Sequence, residues 1–209
     1  CVMNGIKRGL FSNEAGVGSA PNAAASAAVS HPVKQGLVQM LSVFIDTILI
    51  CSATACLLLC SGVAPSEELK GMPWVQAAAS ESLGGFGTVF ITVALCLFAF
   101  TTLIGNFYYA EMGLKYLCGK TPGKALLNLF RIIAALIVLA GAVMEFGLVW
   151  STADVLMGFM ALINLPVILL LGGTAIRCMK DYVRQKKEGR NPVFKAADIG
   201  LKEKTDFWD

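Results

Sequence analysis

Four uninterrupted apolar runs, each of about the length that a helix needs to cross a bilayer, constrain this chain more than any other feature. They occupy 36–62, 84–110, 127–149 and 153–176. A hydrocarbon core about 30 Å thick is crossed by about 20 helical residues, and none of the four runs is long enough to cross twice. The chain as a whole is 56% hydrophobic and only 15% charged, with a mean hydropathy of +0.68. This balance excludes a disordered or nucleic-acid-wrapping chain and argues against a soluble enzyme, which could not hide so many apolar side chains from water. The expected class is an all-α polytopic membrane protein with four transmembrane helices.

The basic residues are sorted by position. Segments 1–35, 111–131 and 177–209 hold all of them except Lys70, which lies in the loop 63–83 beside Glu67, Glu68 and Glu81. A soluble four-helix bundle would have no reason to sort its charge in this way. The positive-inside rule puts the basic segments, and with them both ends of the chain, in the cytoplasm. The expected layout is a cytoplasmic segment 1–35, spans at 36–62 and 84–110 around an outer loop 63–83, and a cytoplasmic loop 111–126. Spans at 127–149 and 153–176 and a basic cytoplasmic tail 177–209 complete it. The tail reads as a solvated helix end that touches headgroups. Cys1 stands where an initiator Met would, so the chain reads as a piece of a longer polypeptide.

Little here suggests covalent chemistry. The seven cysteines, at 1, 51, 56, 60, 96, 118 and 178, contain no pair of CxxC motifs, so metal and disulfide readings are weak. His31 is the only histidine, and the sequence around it supplies no metal triad or Ser-His-Asp set. GxG at 16–18 lacks the following Lys-Ser/Thr of a phosphate loop, which excludes nucleotide binding. The expectation is a protein that is not an enzyme, carries no cofactor and binds no nucleic acid.

Polar groups inside the spans carry more information, because an ionisable side chain at mid-membrane costs on the order of 2.5 to 3.5 kcal/mol. Asp46 lies inside the first run, and Gln35, Gln39, Ser42 and Asp46 recur at helical spacing on one face. That stripe either lines a wet pathway or holds helices together by hydrogen bonds. In the second run Thr88, Thr92, Ala99, Thr102 and Asn106 make a narrow face of small and hydroxyl-bearing residues, with Thr101 beside it. Small residues permit close helix packing; alternatively, the Thr101–Thr102 hydroxyls with a nearby carbonyl offer the oxygen ligands that a hard cation such as sodium prefers. Tyr108, Tyr109 and Glu111 end the run as an interfacial belt, while Glu145 and Asp154 flank an outer turn near 150.

Five stretches together resemble the C-terminal half of the alanine or glycine:cation symporter family, which are sodium-coupled amino-acid carriers. They are GIKRGLFSNEAGVGSAPNAAASA at 5–27, HPVKQG at 31–36, FIDTILICSATA at 44–55, LFAFTTLIGNFYYAE at 97–111 and NLP at 164–166. The resemblance implies part of a leucine-transporter-type inverted-repeat fold of the APC superfamily, with Cys1–Gly9 ending the sixth core helix and the four spans as the seventh to tenth. It implies a sodium site in which the Phe98 carbonyl and the Thr101 and Thr102 hydroxyls take part, and a substrate pocket at Thr102, Gly105 and Asn106. Many members have Trp where this chain has Asn106, which leaves the side-chain preference of the pocket open. Phe11, Ser12, Asn13 and Glu14 match the family signature, with an implied role at the cytoplasmic gate. The partners expected are alanine or another small neutral amino acid, Na+ and membrane lipid, in the cell membrane. Proton coupling through Asp46, or a scaffold that transports nothing, are the competing readings.

Overall fold

The structure is a computed structural model that describes all residues except 1, 4, 7, 8, 10–12, 15, 67, 68, 70, 120, 121, 202–204, 206, 207 and 209. Among the described residues every regular element is helical. In chain order they are α1 (Ala20–Ala24), α2 (Pro32–Phe44), a π-helical turn (Ile45–Cys51), α3 (Ser52–Cys60), α4 (Met72–Leu83), α5 (Gly85–Cys118), α6 (Lys124–Val143), α7 (Phe146–Lys187) and a short 3-10 turn (Ala196–Ile199). Four continuous helices, Pro32–Cys60, Gly85–Cys118, Lys124–Val143 and Phe146–Lys187, are long and apolar enough to cross a membrane. Each carries one of the apolar runs. Proline opens α1, α2 and α4 at a position where its missing N–H has no helical partner to lose.

α6 ends at Val143, ahead of the 149 expected for the third apolar run. Met144 and Glu145 take extended conformations and α7 starts at Phe146, so the turn falls before residue 150. The expected outer loop 63–83 contains α4. α7 continues through Pro166 and on to Lys187, well past the apolar run.

The chain forms two units, residues 41–121 and residues 1–40 with 122–209. In the first, α4 folds back on α5 through Gly84, whose φ of 63° suits glycine. Ala78 and Ala79 are fully buried against Gly87, where an added Cβ would sit 2.1 Å from the Ala79 carbonyl oxygen. Two helix backbones meet here with no room for a methyl group. Gln76 Nε2 donates to Thr92 Oγ1 at 3.0 Å, and Trp74 Nε1 donates to the Val63 carbonyl at 2.8 Å.

In the second unit the tail is folded, contrary to the solvated extension expected from its charge. Phe194, Ala196 and Ile199 form a buried cluster with Cys178, Leu201 and Trp208 packed on it. Phe194 N–H donates to the Ser30 carbonyl at 2.9 Å and Ala196 N–H to the Trp208 carbonyl at 2.8 Å. The apolar residues Pro192, Val193 and Phe194 sit between Arg190 and Lys195, and they, more than the charge, decide where this segment goes. Elsewhere large apolar side chains point outward, with Leu139, Phe159 and Leu170 among them. That is the surface of a chain whose surroundings are lipid or further protein.

Candidate functional site

Phe98, Thr101, Thr102, Gly105 and Asn106 all fall within α5, whose regular α-geometry sets them on successive turns. The Thr101 hydroxyl donates to the Leu97 carbonyl at 3.1 Å and to the Phe98 carbonyl at 3.0 Å. A hydroxyl that spends its hydrogen on the helix keeps its lone pairs outward, beside the carbonyl oxygen it touches. The Phe98 and Thr101 oxygens are thus neighbours at one depth, with Thr102 next in sequence. Phe98, Thr101, Thr102 and Asn106 are exposed, and nothing stands within 4 Å of where a Gly105 Cβ would lie. The face is open to an incoming ligand or helix.

Asp46 sits, half-buried, in the first turn of the π-helical segment. Gln35, Gln39 and Ser42 keep uniform α-spacing in α2, and the register shifts after Asp46, because a π-turn carries more residues per turn than an α-turn. Such bulges cluster at functional sites. Gln35 and Gln39 lie on the α2 side of this change and line a groove of about 470 Å³ with Ala20, Pro21, Ala24 and Trp208.

Of the signature residues, Phe11 and Ser12 lie outside the described residues, whereas Asn13 and Glu14 form a turn. Glu14 is in a left-handed conformation, with φ 50°, and its carboxylate accepts a hydrogen bond from the Ser19 hydroxyl. Gly16 and Gly18 follow with φ of 84° and 100°. The turn packs on the NLP stretch of α7. Asn164 Nδ2 donates to the Gly16 carbonyl at 3.0 Å, and a Cβ on Gly18 would lie 2.9 Å from Asn164 Cγ. A Cβ on Gly16 would lie 3.1 Å from Leu165 Cδ2. Two stretches far apart in sequence thus meet. Asn164 is also the only polar residue between 155 and 171, a signal that the sequence displayed without stating its partner.

Sequence reasoning missed the cluster around His31. This imidazole is fully buried, with Tyr182 and Phe194 set edge-on to it, both at 5.2 Å between ring centres. Its Nδ1 accepts the Val33 N–H at 3.2 Å, which caps α2, so the hydrogen resides on Nε2 and points to Asp181 Oδ2 at 3.4 Å. Asp181 also accepts from Arg184 and from Gln185 Nε2 at 2.8 Å. Gln185 bridges on to both backbone groups of Val193, and Lys34 Nζ donates to Asn191 Oδ1 at 2.7 Å. Burial pushes His31 below the usual histidine range; the Asp181 hydrogen bond and charge oppose that shift, and Lys34 adds to it. His-Pro at a helix start was the available clue, since the residue before an N1 proline is the cap.

The comparisons agree with the motifs. Among characterised relatives, the Amino-acid carrier protein AlsT of Bacillus subtilis is 47% identical over 208 residues, covering all of this chain and 44% of that protein. The Sodium/alanine symporter AgcS of Methanococcus maripaludis is 40% identical over 193 residues, covering 91% of this chain and 42% of its own length. The Sodium/proton-dependent alanine carrier protein of Bacillus sp. PS3 is 38% identical over 222 residues, covering all of this chain and 50% of its own. The chain thus spans about half the length of the curated relatives it matches. No solved structure matches it. The sodium:alanine symporter family, whose members are carriers rather than enzymes, matches residues 1–196. A match of that extent, in a chain with four helices fit to cross a membrane, makes this a multi-pass membrane protein that belongs to the sodium:alanine symporter family.

Proposed function

We propose that this chain is the C-terminal half of a secondary active transporter that couples inward movement of sodium to uptake of alanine or a similar small neutral amino acid. The family match over residues 1–196 carries the proposal. The fold in this reading is a leucine-transporter-type inverted repeat, with both ends of the chain on the cytoplasmic side of the cell membrane. Phe98, Thr101 and Thr102 give oxygens to the coupling ion, and Thr102, Gly105 and Asn106 line the substrate pocket. Asn13 and Glu14, with Phe11 and Ser12, belong to the inner gate. Alternating access needs no covalent step. One sodium ion crossing 100 mV releases about 2.3 kcal/mol, which sustains roughly a fifty-fold accumulation of substrate.

The test is uptake of labelled alanine into proteoliposomes that hold the full-length parent, with an inward sodium gradient or potassium in its place. Uptake that needs sodium supports the proposal; equal uptake in potassium removes sodium coupling and the ion-site residues with it. The name of the Bacillus sp. PS3 relative, together with the π-turn at Asp46, favours one second reading, coupling to protons. In that case Asp46→Asn abolishes pH-driven uptake and spares sodium-driven uptake.

A further inference from the structure

The depth of the turn residues Glu14, Gly16 and Gly18 follows from what they touch. Asn164 stands midway along the apolar run 153–176 of α7, and no charged residue lies between Asp154 and Arg177. At 1.5 Å per residue it is about 17 Å along the helix from either end of that run, which is the middle of the hydrocarbon layer. The basic residues that mark the membrane boundary, Arg177, Lys180 and Arg184, begin where the run ends. A second tie between the same two stretches of chain calibrates the ruler. His31 meets Asp181, which is about 25 Å farther along α7 than Asn164. Between these ties the chain runs from mid-helix to the basic end.

We infer that Glu14, Gly16, Val17 and Gly18 belong to a re-entrant turn at mid-membrane depth, held there by Asn164, which is a positioning residue for the inner gate. This rests on the carrier reading in one respect only, the gate role given to Asn13 and Glu14. Non-helical backbone is tolerated at such depth where protein covers it and satisfies its polar groups. The turn meets both conditions. Val17 and Ser19 are buried, the Gly16 carbonyl takes the Asn164 amide hydrogen, and the Glu14 carboxylate takes the Ser19 hydroxyl hydrogen. The two glycines have positive φ, and Asn164 and Leu165 occupy the space that their side chains would fill, so the fit requires both glycines. A segment that read as cytoplasmic from its composition is thereby drawn into the membrane by one amide. Asn164 is two residues before Pro166, the one residue inside α7 that cannot donate a helical hydrogen bond, so the turn is docked where the helix is easiest to bend.

The experiment uses the full-length parent in proteoliposomes. A photoactivatable benzoylphenylalanine replaces Leu165, which leaves both glycines intact, and the cross-linked peptides are sequenced. Adducts within residues 14–19 are expected; adducts only to lipid or to other segments overturn the placement, whatever the transport result. Asn164→Ala is expected to lower maximal uptake at least fivefold with the half-saturating substrate concentration within twofold of wild type, and Asn164→Ser, which keeps a donor, to recover at least half. Wild-type uptake in the Ala variant, or a Ser variant no better than Ala at equal protein level, overturns the positioning role. If the wild-type parent moves no amino acid on a sodium gradient, the carrier reading fails, while the cross-link still decides the placement.

Discussion

His31 and Asp181 are 150 residues apart in sequence and joined side chain to side chain, with Nε2 donating to Oδ2 at 3.4 Å. The imidazole has one acceptor atom and one hydrogen, and both are in use. Acid can add a proton only at Nδ1, where the Val33 N–H already points, at the positive end of the α2 dipole. Protonation therefore removes the cap of a membrane-crossing helix.

The pH dependence follows in sign. His31 is held below 6.5 in the folded protein by burial and titrates near 6.5 when unfolded, so the unfolded chain binds more protons in the interval between the two values. Its contribution to stability is complete above about pH 6.5 and is lost as pH falls below that value. Thermal unfolding of the full-length parent in detergent, measured from pH 7.5 down to 5.5, is expected to show this loss. His31→Asn, which keeps a cap acceptor and cannot titrate, is expected to flatten the curve in that interval.

Loss of Asp181 is expected to open the tail. Asp181→Ala leaves the buried His31 Nε2–H without its acceptor, and an unsatisfied buried donor costs about 1–3 kcal/mol. Limited proteolysis of the detergent-solubilised full-length parent is expected to cut within 188–201 sooner in this variant than in wild type. Equal cleavage rates would refute the clasp.

Gly87→Ala is expected to be among the most damaging single-methyl additions in the chain, because the new carbon would overlap the Ala79 carbonyl and push α4 off α5. Overpacking of this kind costs typically about 1–3 kcal/mol or more. Gly113→Ala, in the same helix with nothing within 4 Å of the new carbon, is expected to be neutral or slightly stabilising by helix propensity. Melting temperatures of the two variants give the comparison.

Thr102→Ala is expected to raise the half-saturating sodium concentration for uptake at least tenfold while expression holds, and Thr101→Ser to stay within threefold of wild type. Both retain the helix, and the second retains the hydroxyl that touches the Phe98 carbonyl. Uptake measured against sodium concentration in proteoliposomes distinguishes them, and unchanged sodium dependence in both would remove these oxygens from the ion site.

Period and length made the four long helices legible in the sequence, since about 20 apolar residues have few other uses. Regular α-spacing also placed Thr88, Thr92, Ala99, Thr102 and Asn106 on one face with Thr101 beside it, for α5 is an undisturbed helix, whereas Phe98 and Gly105 came from the family resemblance. Where the backbone leaves that period, the reading lost its grip. The π-helical segment begins at Ile45, so the residues after Asp46 leave the α-period, and no residue in IDTILIC announces it. The meetings of Asn164 with Gly16 and of His31 with Asp181 were hidden for another reason. They join parts of the chain separated by about 150 residues, and periodicity reports on neighbours only. The tail misled through its composition, because nine Lys and Arg between 177 and 209 outweigh by number the few apolar residues that direct its folding.

The clasp around His31 has a consequence for the order of events during synthesis. His31 and α2 leave the ribosome early, whereas Asp181, Tyr182 and Phe194, which bond and cage the imidazole, leave it late. Until those residues arrive the imidazole can only meet water or borrowed partners, at a helix start that is already inserting. A nascent chain arrested before residue 181 therefore presents an open, protonatable histidine at the start of α2. Disappearance of that histidine from solvent is a built-in mark that translation has run through residue 194.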